Sequence, residues 1–216
     1  MYPVREDTLL LLPFAAVDAG TSFLEVGAGA GTLALAAAHR GARVTATDLN
    51  PHAVRRLAAI ARREGLDLVA VRTDLARGLG RFDRIVANPP YLPTQPDERD
   101  PDRWHNLALD GGEDGWSMAA RLIPSLADHL LPGALAYVLT STLQSEARRR
   151  ELWRTWRARS GTVRRVASRT LEGERLEVYE FRIGRADSVR PIGRRTSAPR
   201  PGSDGRPRTR SVPRSE

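Results

Sequence analysis

The chain has 216 residues, 41% hydrophobic and 28% charged, which suits one globular domain and excludes a wholly disordered chain. It has no cysteine, which excludes disulfides, thiolate nucleophiles and cysteine-based zinc sites, and its four histidines (His39, His52, His105, His129) are scattered without ligand spacing, so no metal site is expected. All 34 basic residues are arginine, and the net charge of +8 is uneven: residues 185–216 hold nine arginines against three acids, a net of +6, which leaves +2 on residues 1–184.

Glu6 to Ala19 predicts a first helix, with acids in the first turn where the helix dipole favours them. Ser22 to Val26 is a short apolar strand, and an Ala/Leu-rich helix follows from Gly31 to Arg40 and stops at Gly41. Arg43 to Thr47 predicts a second strand. Pro51 to about Glu64 predicts a helix with proline in its first turn and Gly65 past its end. Leu68 to Arg72 and Phe82 to Ala87 predict strands three and four. Ser117 to Leu131 predicts a helix and Leu135 to Leu139 strand five. Ser145 to Arg159 predicts a basic helix with Leu152, Trp153 and Trp156 on its apolar side. Thr162 to Thr170 and Arg175 to Ile183 flank a Glu172–Gly173 turn and predict an antiparallel hairpin. Repeated strand–helix units imply an α/β fold: a mostly parallel seven-stranded sheet, helices on both faces, and a C-terminal antiparallel hairpin.

The domain spans residues 1–184. Residues 185–216 are rich in Arg, Pro and Ser and have no leucine or aromatic, too little apolar surface to offset the entropy of ordering, so a disordered tail is expected. Its charge is compatible with a nucleic-acid contact, but a solvated extension without a specific partner is preferred. The arginines of the Ser145–Arg159 helix are read in the same way, as the wet face of an amphipathic helix. Leu9 to Val17 imitates the apolar part of a signal peptide. Arg5 is offset by Glu6 and Asp7, however, so a cytoplasmic protein is expected. No window approaches the ~18 unbroken apolar residues of a membrane helix, so no membrane association is expected.

Ligands of such sheets bind at the carboxyl ends of the strands. The loop after strand one is Glu25-Val26-Gly27-Ala28-Gly29-Ala30-Gly31, whose glycines permit unusual dihedrals and a close ligand approach. The dinucleotide spacing G-x-G-x-x-G fits only with Ala34 in third place, and Glu25 would repel a pyrophosphate while suiting a cationic ligand. Asp48 follows strand two, placed to bind ribose hydroxyls, and Asp74 follows strand three, placed to accept from an adenine amino group. Three acids at successive strand ends beside a glycine loop make an adenosine site.

The loop after strand four is Asn88-Pro89-Pro90-Tyr91. The Asn88 side-chain carbonyl and the Pro89 backbone carbonyl can accept the two hydrogens of one planar NH₂ group. Held in this way, the nitrogen shifts toward tetrahedral geometry and aims its lone pair at a donor. The two prolines stiffen the loop, and Tyr91 offers a face for stacking a flat amide or base. The chemistry is positioning plus charge complementarity, with no strong general base.

These motifs resemble those of class I S-adenosylmethionine-dependent methyltransferases, which have a Rossmann-like fold. EVGAGAG is similar to their first cofactor motif, TDLNP to the second, and NPPY to the signature of enzymes that methylate planar NH₂ groups. Tyr2-Pro3-x-x-Glu6-Asp7-Thr8-x-Leu10-Leu11 and Leu109-Asp110-Gly111-Gly112-Glu113-Asp114-Gly115 resemble segments of the HemK-like protein-glutamine methyltransferases, in their short archaeal–eukaryotic branch. The resemblance covers about residues 1–184 and does not include the tail. It implies S-adenosylmethionine as cofactor, with Glu25, Gly27, Gly29 and Gly31 along its methionine part, Asp48 on the ribose, Asp74 on the adenine and Thr8 at its carboxylate. It implies that Asn88, Pro89, Pro90 and Tyr91 hold the target NH₂. It also implies a protein substrate, the glutamine of a class I translation release factor, and a small zinc-binding activator subunit. The alternative expectation is an adenine-N6 methyltransferase acting on DNA or RNA. It would require base flipping by a body of charge only +2 without an evident recognition domain.

Overall fold

The computed structural model describes residues 5–159 and 161–184. Helix α1 (Glu6–Leu11) runs into a 3₁₀ turn (Leu12–Ala15). The predicted first helix is therefore cut short, because Pro13 has no N–H to carry the α ladder on. Strand β1 (Ser22–Val26), helix α2 (Thr32–His39), β2 (Arg43–Asp48), α3 (Pro51–Glu64), β3 (Leu68–Arg72) and β4 (Phe82–Ala87) follow within a residue or two of the sequence expectation. Asn50 caps α3 by accepting from His52 N at 2.9 Å, and Gly65 closes it in the left-handed conformation.

Between β4 and the next predicted helix lie a 3₁₀ turn (Pro96–Glu98) and helix α4 (Arg103–Leu109), neither predicted. Asp102 caps α4 by accepting from Trp104 N at 2.9 Å, and the helix has no fully buried residue. Helix α5 (Ala119–His129) ends two residues early, and β5 (Leu130–Ser141) is far longer than expected. Leu130 pairs with Phe82, and after a register shift Leu135 pairs with Arg84, so the apolar Leu130–Leu131 pair serves the sheet and not the helix. Helix α6 (Glu146–Ala158), β6 (Gly161–Leu171) and β7 (Glu174–Ile183) complete the body.

The sheet order is β3-β2-β1-β4-β5-β7-β6; β1 to β5 are parallel and β7 pairs antiparallel with both β5 and β6, which gives the mostly parallel sheet with a C-terminal antiparallel hairpin that the sequence predicts. Two apolar layers cover its faces. Phe23 packs on one side with Leu11, Leu33, Ala37 and Leu57; Leu24 and Val26 pack on the other with Leu122, Leu126, Trp153 and Trp156. By the period of two, Glu25 lies on the Phe23 side, beneath α2. The order reverses between β1, whose crossover leads outward to β2, and β4 on its other side, so their carboxyl ends open a crevice. The expected disordered tail at 185–216 and the Tyr2-Pro3 half of the opening motif lie outside the described residues.

Candidate active site

At the crevice the backbone of the glycine loop turns sharply: Gly27, Gly29 and Gly31 have φ of 71°, 50° and 75°, where an L side chain is strained. Gly31 is the N-cap of α2, and a Cβ there would sit 2.6 Å from Leu57 Cδ1. A Cβ on Gly27 would come within 3.3 Å of Met118 Cε. Gly29 has open space around it, and its N–H donates to Asp48 Oδ2 at 2.7 Å. The other Asp48 oxygen accepts from Asn50 N at 2.7 Å. Loop one is thus clasped to the end of β2 by a carboxylate.

Glu25 is 5% exposed and accepts from Ala34 N at 2.7 Å through Oε2. Burial pushes its carboxyl from the ordinary 4.5 up to about 8, opposed by the Ala34 N–H and reinforced by the charge of Asp48. A cationic ligand would reverse that cost. Asp74, at the end of β3, is ion-paired with Arg121 of α5.

The loop after β4 is braced by the glycine-rich segment at 109–115. Gly111 N donates to Leu92 O at 2.9 Å, and Thr94 N donates to Gly112 O at 3.0 Å. A Cβ on Gly115 would lie 2.6 Å from the Tyr91 carbonyl oxygen, so only glycine lets the two loops approach this closely. Asn88 Nδ2 donates to Asp7 Oδ2 at 3.0 Å. Asn88 Oδ1 is buried and has no hydrogen-bond partner among the described residues. Asp7, 2% exposed, also accepts from Thr8 N at 2.6 Å through Oδ1.

A single cavity of about 790 Å³ gathers these groups, a size that suits a nucleoside-bearing ligand together with an acceptor side chain. Thr8, Glu25, Gly27, Gly29, Asp48 and Asp74 line it, as do all four residues Asn88, Pro89, Pro90 and Tyr91. Gly31 does not; it faces Leu57 and starts α2. Sequence reasoning missed Asp7, Arg121 and Met118, along with Trp104 on α4, all of which line the same cavity.

The parallel sheet, the left-handed glycine loop and three acids at strand ends define a class I methyltransferase, and residues 5–107 match the family described as Methyltransferase small domain. A putative protein N5-glutamine methyltransferase of Methanocaldococcus jannaschii is 36% identical over 148 residues, covering 68% of this chain and 75% of that protein. Methyltransferase HEMK2 of Mus musculus is 34% identical over 194 residues, covering 84% and 89%. The fold is shared with the E. cuniculi Mtq2–Trm112 complex, which is responsible for the methylation of the translation termination factor eRF1: TM-score 0.63 at 22% identity, covering 85% of this chain and 98% of that one. The chain belongs to the HemK2-type family of S-adenosylmethionine-dependent methyltransferases. Among the described residues no helix is long and apolar enough to cross a membrane.

Proposed function

We propose that the protein transfers a methyl group from S-adenosylmethionine to the side-chain amide nitrogen of a glutamine in a protein, with a class I translation release factor as the substrate. The observation that carries this is Asn88 Oδ1, a buried acceptor without a partner among the described residues, in a residue that lines the cavity. The residues present fit the cofactor: Glu25, a buried acid at the end of β1 beside the glycine loop, suits its cationic methionine part, and Asp48 lies one strand away for the ribose. When bound, the cofactor supplies an electrophilic methyl group on a sulfonium sulfur.

In this proposal Glu25, Gly27 and Gly29 line the methionine part, Thr8 serves its carboxylate, and Gly31 sets the start of α2. Asp74 accepts from the adenine amino group, with Arg121 holding its carboxylate. Asn88 Oδ1 and the Pro89 carbonyl accept the two hydrogens of the target NH₂, which aligns the nitrogen lone pair with the cofactor. Pro90 stiffens the loop, and Tyr91 covers the flat face of the amide.

Charge supports a protein acceptor. Residues 93–115, which connect the Asn88 loop to its glycine brace, hold seven acids against two arginines, a poor surface for a polyanion. Three of the five arginines of α6 are engaged in ion pairs: Arg148 with Glu151, Arg150 with Glu146, and Arg149 with Glu177. We also propose that residues 1–184 act as the methyltransferase domain in the cytoplasm and that a small zinc-binding subunit assists it, as the Mtq2–Trm112 complex is two-part.

The test is to incubate the protein and cell extract with cofactor carrying a labelled methyl group, then digest half with protease and half with nuclease. Label released by protease, and absent with Asn88→Ala, is the expected result. Label released only by nuclease would move the acceptor to adenine.

A further inference from the structure

We propose that Asp7 is the positioning residue that fixes which end of the Asn88 amide faces the acceptor. This rests on the reading that Asn88 Oδ1 takes a hydrogen from the target NH₂. The amide oxygen and nitrogen of an asparagine are nearly the same size, so the shape of the pocket cannot choose between them. With its NH₂ turned inward, Asn88 would present a donor to two donors and hold nothing.

An ionised carboxylate accepts and never donates. Asp7 Oδ2 lies 3.0 Å from Asn88 Nδ2, so the nitrogen is held outward and the buried Oδ1 is left for the acceptor. Asp7 itself is held in place. Its Oδ1 accepts from Thr8 N at 2.6 Å and from Thr8 Oγ1 at 3.3 Å, and Leu11, later in the same helix, is fully buried. The first six-residue helix therefore sets an amide 81 residues away in sequence. Asp7 acts through Asn88 and not on the substrate.

The two oxygens of Asp7 serve donors of two residues at once, Thr8 and Asn88, and the single oxygen of an asparagine in its place can serve only one of them. With its oxygen on Thr8 N, the Asp7→Asn side chain turns its own NH₂ toward Asn88, and Asn88 must flip to meet it. With its oxygen on Asn88, it sets two N–H groups face to face at Thr8. The second arrangement forfeits a backbone hydrogen bond, so the flipped state prevails about tenfold.

The experiment combines kinetics with NMR of the full chain. Asp7→Asn should lower kcat about tenfold or more, while the KM for the acceptor and the cofactor Kd from equilibrium titration stay within about twofold. A merely structural loss would move stability and cofactor binding together. In the Asn88→Ala background, Asp7→Asn should have no further effect. The side-chain NH₂ signal of Asn88, identified by its loss in Asn88→Asp, should exchange slowly in the unaltered protein and quickly in Asp7→Asn. Fast exchange in the unaltered protein would overturn the proposal, whether or not the variant folds. So would a fully active Asp7→Asn beside an inactive Asn88→Ala. A fully active Asn88→Ala would instead overturn the reading of the acceptor site.

Discussion

Glu25→Gln should stabilise the cofactor-free protein. The Glu25 carboxyl titrates near 4.5 when unfolded and near 8 when buried in the native state, so folding takes up a proton between those values. The sign follows from a native pKa that is raised: the group's contribution to stability is fully present below pH 4.5 and is lost as pH rises toward 8. By pH 7 the loss is about 3 kcal/mol. Glutamine keeps the acceptor for Ala34 N but has no charge to bury. The variant should therefore gain up to about 3 kcal/mol at pH 7, a rise in Tm of roughly 6–12 °C for a chain of this size. Urea unfolding from pH 5 to pH 8 is the assay. The unaltered protein should lose stability at up to about 1.4 kcal/mol per pH unit, and Glu25→Gln should be flatter by that slope. The same variant should bind S-adenosylmethionine more weakly, since its amide cannot balance the ligand's positive charge. Equal stability and parallel pH profiles for the two proteins would refute the reasoning.

Gly31→Ala combines a strained φ of 75° with a Cβ 2.6 Å from Leu57 Cδ1, so a loss of about 2 kcal/mol is expected in thermal or urea unfolding. Glu177, whose side chain is almost wholly buried, takes ion pairs from Arg149, Arg165 and Arg175 and a hydrogen bond from Tyr179 Oη. Burial alone would raise its pKa, but these partners hold it below the usual value, so its contribution is present above pH 4.5 and is lost as pH falls further. Glu177→Ala should cost about 2 kcal/mol at pH 7, less than the full penalty of a broken buried pair because the arginines reach water, and the deficit should shrink in acid.

Much of the site was legible because its signals are local. Glu25 stands one residue before the end of one strand and the glycines follow it, Asp48 ends a second, Asp74 lies two residues past a third, and NPPY follows a fourth. Parallel strand order then carries all four loops to one edge without further information. The illegible residues are those whose partners are remote in sequence. Asp7 sits first beside Thr8, where an acid reads as ordinary helix-start chemistry, yet its second oxygen serves Asn88. The signal available was a second acid beside Glu6 where one suffices. Arg121 lies in a segment that the sequence marks only as helical, and its partner Asp74 is 47 residues away. Helix α4 has no buried residue and so no apolar stripe to reveal it. The α5–β5 boundary was misplaced because Leu130 and Leu131 suit a helix or a strand equally, and pairing with Phe82 decides between them.

The most direct measurement is the chemical form of the transferred methyl group. A class I release factor labelled by the protein and S-adenosylmethionine is hydrolysed completely in acid, which cleaves amide bonds. Transfer to a glutamine amide nitrogen leaves the label as volatile methylamine, and none should appear with Asn88→Ala. Label that remains on an amino acid such as methyllysine, or that is recovered only on adenine from added nucleic acid, would contradict the account.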